Sequence, residues 1–152
     1  MNPGDLVIVR NQLSDEWVVS IFSHFKVFGD GRKAHVCSNG HIYQYCMLLK
    51  NNEKQVGSTH ASTADGYVAD QKKWIEETGC QAGSIVEVTG VTTSYANGWQ
   101  STWNSGMNNY LGCYGMVQNI KPAHGLQIAF NSQSANRDMY HYPYFCLEVV
   151  KP

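Results

Sequence analysis

The sequence predicts a mainly β chain: a small barrel or strongly bent sheet in each half, joined by a short amphipathic helix. Three observations predict it. Apolar runs of strand length recur on both sides of residue 62, each closed by Gly-, Asn- or Pro-containing turn material. Between them, "STADGYVADQKKWIEETG" switches to helical spacing. Two of the runs begin alike, "GDLVIVRN" and "GSIVEVTG", which suggests a weak internal repeat. The division that follows is 1–61 as an N-terminal β-rich module, 62–80 as the connecting helix and 81–152 as a C-terminal β module.

In the first half, Gly4-Asp5 reads as a turn and Leu6 to Arg10 as a strand. A second strand is expected over Trp17 to Phe25. Its alternation is imperfect, because Val18 and Phe22 interleave with Trp17, Val19 and Ile21, so a bend or burial on both sides is expected. "GDGRK" at 29–33 supplies a turn before "AHVCS", and "SNGH" a turn before a fourth strand from Ile42 towards Leu49. A short edge strand is expected at about 55–59. In the helix, Tyr67, Gln71, Trp74 and Thr78 align, with Val68 and Ile75 beside them. Thr63 or Asp65 is the candidate N-cap and Gly79 the candidate left-handed end. Four turns at most are marginal alone, so the apolar face must dock on the two halves. In the second half, strands are expected in "GSIVEVTGV", "YGMVQNIKP", "GLQIAF" and "YFCLEVV". "TSYANG", "KPAHG" and "NSQSANRD" lie between them as loops.

Hydrophobic residues make up 43% of the 152-residue chain, enough for a core. Charged residues are 15%, below the roughly 25% of ordinary soluble domains. Eleven Lys and Arg against twelve Asp and Glu leave a formal charge of -1. So weak a field does not gather phosphate backbones, and nucleic acid is not an expected partner. A near-neutral surface also favours association with a partner or with itself. No basic-then-apolar leader and no run of ~20 apolar residues is present, so a cytoplasmic chain without a membrane partner is expected. Five Cys form no close pair, which favours reduced, structural thiols. Cys46 and Cys146 sit in apolar runs, whereas Cys80 and Cys113 read as more exposed.

"GWQSTWNSGMNNYLGCYG", Gly98 to Gly115, carries two Trp, a Met and two Tyr without a formal charge. Its Asn-, Ser- and Gly-rich intervals are poor helix material, so an irregular loop is expected. Either its aromatics plug the open end of the module, or they rim a groove that stacks a base, a Pro-rich peptide or a sugar. The candidate binding residues are Trp99, Trp103 and Tyr110, joined by Tyr142 and Tyr144 from "YHYPYFCLEVV". Arg10, Arg32 and Lys33 are candidate anion-binding residues, the last two from the Gly-rich turn. That turn lacks the length and the terminal Lys-Ser/Thr of a phosphate loop. No His-Glu-x-x-His, Cys-x-x-Cys or His-x-His occurs, so no metal and no cofactor is expected. No Cys–His pair or carboxylate pair is singled out for catalysis.

Val9-Arg10, Glu16-Trp17, Ile21 to His24, Gly40, Tyr45-Cys46 and Gly57-Ser58-Thr59 form a pattern. It resembles a recurrent module of uncharacterised proteins in gut Bacteroidetes and their phages. The second half, Gly83 to Val150, is similar to SH3-like phage modules through "GW…W…M…Y.G..G.V..I" and "YPYFCLEVV". The resemblance covers most of the chain except the helix. It implies two small SH3-like β-barrel modules and names no catalytic residue. The expected function is a non-enzymatic intracellular binding or adaptor protein, a phage effector whose partner is a host or phage protein. Two alternatives stand beside it: a protein binding a small ligand or nucleotide signal, and a phage-associated cell-wall hydrolase.

Overall fold

The computed structural model describes residues 1–57, 63–130 and 139–151. The loop expectation for "NSQSANRD" lies outside the described residues, as do Ser58 and Thr59 of the expected edge strand. Among the described residues ten strands and one α-helix follow in chain order: β1 (Leu6–Arg10), β2 (Val18–Val27), β3 (Lys33–Cys37), β4 (Ile42–Tyr43), β5 (Tyr45–Leu48), α1 (Ala64–Thr78), β6 (Ile85–Val88), β7 (Tyr114–Lys121), β8 (Gly125–Ala129), β9 (Met139–Tyr142) and β10 (Leu147–Val149). They form two five-stranded sheets, β4-β3-β2-β1-β5 and β10-β6-β7-β8-β9, with every neighbouring pair antiparallel.

The sheets are open, which corrects the expectation of two SH3-like barrels. Closing the first would require β4 to meet β5. β4 is two residues long, and the outer edge of β5 is taken by the other half of the chain. Cys46 N donates to Val91 O at 3.3 Å and Val91 N to Cys46 O at 2.9 Å, an antiparallel bridge between the halves. The second sheet ends in β9 on one side and the three-residue β10 on the other. Apolar surface that a barrel would bury inside itself is buried here against the other half and the helix.

β1 shows why. From Val7 to Arg10 its continuous run is buried on both faces, as such runs are when a sheet is covered twice, while Leu6 at its start is exposed. Val7 and Val9 join Phe22, Cys37, Cys46 and Leu48 in one cluster. Ile8, on the opposite face, joins Met47 and Trp17 in a larger one. That larger core also takes Tyr67 and Trp74 from α1, Val86, Val117 and Ile128 from the second sheet, and Trp99, Met107 and Leu111 from the loop between β6 and β7.

α1 begins at Thr63, whose side chain accepts from Gly66 N, and ends at Gly79 with φ 71°. Its buried residues are Tyr67, Gln71 and Trp74, the face that the spacing aligned. Gln71 accepts from the Tyr67 hydroxyl at 2.7 Å and donates to Lys121 O, so the one amide on that face is satisfied. Among the described residues no helix is long and apolar enough to cross a membrane.

Three boundaries differ from expectation. The Ile42–Leu49 strand divides at Gln44, whose N–H donates to the Asn11 side chain. At 55–57 there is no strand, only a turn of 3-10 helix, Glu53–Gln55, and a single bridge from Val56 to Trp17. Tyr144–Cys146 is a 3-10 turn after Pro143, while the unexpected strand is β9, immediately before it.

Candidate functional site

The loop from Gly98 to Gly115 folds around its own aromatics. Trp99 has no exposed surface, and its indole N–H donates to His124 O at 2.8 Å. It meets Trp103 edge-on, and Trp103 meets Tyr142 edge-on at 5.5 Å between ring centroids. Tyr142 is also fully buried; its hydroxyl donates to Met107 O. Tyr110 stacks on Phe130 at 4.0 Å, and Phe130 touches Tyr142. Four of the five candidate aromatics therefore form one connected cluster, packed inward. Burial pushes the Tyr142 phenol well above its ordinary range. Tyr144 stands apart, between Tyr67 and Trp74 on the helix side. Gly125 makes room for this packing: with φ 86° it lies so close to Tyr142 O and the Trp99 indole that a Cβ would overlap both.

The three candidate anion-binding residues divide as well. The Arg10 guanidinium lies 4.4 Å from the Trp17 ring centre and donates to Leu13 O and Asp15 O. It is 9% exposed, and burial lowers its affinity for a proton. Arg32 and Lys33 instead share a groove at the β2–β3 hairpin.

That hairpin is built tightly. Phe28 N donates to Arg32 O, and Gly31 N to Phe28 O. The Asp30 carboxylate accepts the Arg32 backbone N–H at 3.1 Å and the Arg32 Nε at 2.6 Å. Those bonds, the backbone one foremost, hold Asp30 below the usual carboxylate range. Arg32 engages Asp30 through Nε alone among the described residues, so both terminal guanidinium nitrogens remain for another acceptor. Lys33 Nζ donates to Leu111 O at 3.0 Å and stands 3.5 Å from Cys113 Sγ, which ties the hairpin to the second half. An ammonium has three protons, so one is left.

Asn11, Phe28, Arg32, Lys33, Tyr43, Gln44 and Asn108 line this groove of ≈ 280 Å³, with Ala34 and Ile42. None of these lining residues is acidic. Tyr43 is held by Asn39, which donates to its hydroxyl, and Asn108 by Trp103, whose indole N–H donates to its Oδ1. The groove joins two cations, two aromatic rings and three amides from four separate stretches of chain. Of these, the sequence marked only Arg32 and Lys33. Asn108 sits inside the aromatic loop, and no local signal pairs it with a hairpin some 75 residues earlier.

A second groove, ≈ 160 Å³, lies between α1 and the turns after β5, bordered by Lys54, Asp70, Lys73, Trp74, Glu77 and Tyr144. Its charges are matched to each other: Lys54 pairs with Asp70 and Lys73 with Glu77. It offers a ligand no unmatched charge from those pairs and half the room of an ordinary small-molecule site.

All five thiols are unpaired. Cys46 and Cys146 have no exposed surface, and burial pushes both thiols up. Cys80 is buried too, against the expectation of exposure, while Cys113 is half-buried. Among the described residues no three His, Cys, Asp or Glu side chains gather to hold a metal ion.

No family model, curated protein or solved structure matches this chain. The groove's chemistry has to be read from its own side chains.

Proposed function

We propose that this chain is a binding protein for a small anionic ligand carrying a flat ring, of the nucleotide class, held in the groove at the β2–β3 hairpin. The observation that supports this reading is the side-chain set itself. Arg32 and Lys33 are adjacent in sequence and both line the groove; Asp30, which pairs with Arg32 through Nε, is not among the lining residues. The guanidinium's two remaining nitrogens suit bidentate recognition of a phosphate, and the ammonium adds a point charge. Tyr43 supplies a ring for stacking, while Phe28, with Lys26 and Arg32 over its ring, holds the cations in place; Asn11, Gln44 and Asn108 supply amide edges for a heterocycle. At ≈ 280 Å³ the groove falls just below the roughly 300–1,000 Å³ of small-molecule sites.

Isothermal titration of the full chain with inorganic phosphate, adenosine and adenosine monophosphate tests the reading. The nucleotide should bind more tightly than either of its parts, and more weakly as salt rises, since Arg32 is exposed. Arg32→Ala should weaken binding about tenfold or more, the value of a charge-assisted hydrogen bond. Absence of binding by all three compounds at millimolar concentration, or unchanged affinity in Arg32→Ala, refutes it.

A further inference from the structure

We propose that the ligand's flat ring is an oxo base. Its edge carries a ring carbonyl, as uracil and hypoxanthine do, where cytosine and adenine carry an amino group. This rests on the reading of the hairpin groove as a nucleotide site and deepens it by naming the kind of base. The observation that carries it is the direction in which the groove's amides are held.

A carboxamide offers an acceptor oxygen and a donor nitrogen, and turning it end for end exchanges them. Two of the groove's three amides cannot turn. Asn11 Oδ1 accepts the Gln44 backbone N–H at 3.1 Å. Asn108 Oδ1 accepts the Trp103 indole N–H at 2.7 Å. A backbone N–H and an indole N–H only donate, so only an oxygen can face them. Each of the two residues is left with its NH2 to give, and neither nitrogen has a partner among the described residues. Gln44 differs. Its Nε2 lies 3.2 Å from the Tyr45 hydroxyl, a group that both donates and accepts, so this amide can turn either end outward. The Tyr43 hydroxyl accepts from Asn39 at 3.1 Å and keeps its own proton to give.

The side-chain groups of fixed sense in this groove therefore all donate: two carboxamides, the Arg32 guanidinium and the Lys33 ammonium. The cations take the phosphate. The carboxamides are left for the ring, and what they need from it is acceptors. A ring carbonyl supplies one. An exocyclic amine sets donor against donor, and neither group is satisfied. In uracil and hypoxanthine a ring N–H adjoins the carbonyl, and Gln44 is the residue that can turn its oxygen towards it. Asn11 and Gln44 are exposed, so a mismatched group still finds water. The discrimination is then about tenfold, far below that of a sealed site.

Isothermal titration of the full chain with two matched pairs tests this: uridine against cytidine monophosphate, and inosine against adenosine monophosphate. Within each pair the sugar and phosphate are the same, and the bases differ only at the exocyclic group and the ring nitrogen beside it. The oxo member should bind about tenfold more tightly in each pair. Asn108→Asp keeps an oxygen for the Trp103 indole and turns an acceptor to the groove. Its added charge weakens every ligand alike, so the ratio within a pair reads the base alone. The uridine preference over cytidine should fall to about one or below. Asn11→Asp keeps the oxygen for Gln44 N in the same way and makes the same reading if the first variant fails to fold. Ratios near one in the parent chain, or a preference for the amino bases, overturn this proposal and leave the groove reading standing. So does an unchanged ratio in every variant that folds. Binding of none of the four overturns both.

Discussion

His35 has no exposed surface, and its Nε2 donates to Thr89 O at 2.8 Å. Its Nδ1 and the Thr89 hydroxyl are buried without a partner among the described residues. The ring lies edge-on to Phe22 and Phe25, so a second proton would enter an apolar setting. Burial first, and the nearby N-terminal ammonium second, pull its pKa from 6.5 down to about 4; the bond to Thr89 works the other way. Between those values the unfolded chain takes up a proton that the folded chain refuses. The stabilising contribution is complete above pH 6.5 and is lost as pH falls towards 4, by roughly 3 kcal/mol. Urea unfolding at pH 7 and pH 4.5 measures it. His35→Gln should be less stable at pH 7 yet lose visibly less between the two pH values than the parent.

At the scale of the element, the segment between β6 and β7 is a loop with its own core. Trp99 is its centre: buried completely, bonded to His124 O, and edge-on to Trp103. Trp99→Ala should cost ~3–5 kcal/mol, the range for deleting a buried Trp, and equilibrium unfolding should show it at any ligand concentration. A loss confined to ligand affinity, with stability unchanged, would reverse that assignment. The aromatic content of Gly98–Gly115 was legible, and so were β1 and the caps of α1, because their causes are local: a continuous apolar run after a Gly-Asp turn, a Thr before the helix, a Gly after it. The break at Gln44 was not, since the Asn11 side chain that receives its N–H is 33 residues away. Nor was the turn at Tyr144–Cys146, where "YFCLEVV" has the composition of a strand and Pro143 acts one residue before it. Within the site, Arg32 and Lys33 stood out as charges beside glycines. Tyr43 and Asn108 became lining residues only through the fold.

At the scale of the molecule, the halves share what neither completes alone. The main core takes Ile8 and Met47 from one sheet, Val86 and Ile128 from the other, and Tyr67 and Trp74 from the helix between them. Asn52 adds a buried polar tie, donating from its side chain to both Leu48 O and Phe145 O. One cooperative unfolding transition is expected, with tryptophan fluorescence and far-ultraviolet circular dichroism giving the same midpoint. Two separated midpoints would mean that one sheet survives the loss of the other. The open sheets also explain why strand count alone misled: five short strands suit a closed barrel as well as an open sheet. The bridge from Cys46 to Val91 decides between them, and it joins residues 45 positions apart.

That bridge has a consequence for how the molecule breathes. Its two amide hydrogens, those of Cys46 and Val91, are held by the other half of the chain and not by the sheet ladder of their own. Any motion that parts the halves while leaving both sheets intact exposes them to solvent deuterium, whereas the amides of β1 remain locked. Their exchange rates measure the free energy of separating the two halves, and the protection left in β1 measures the larger cost of dismantling a sheet.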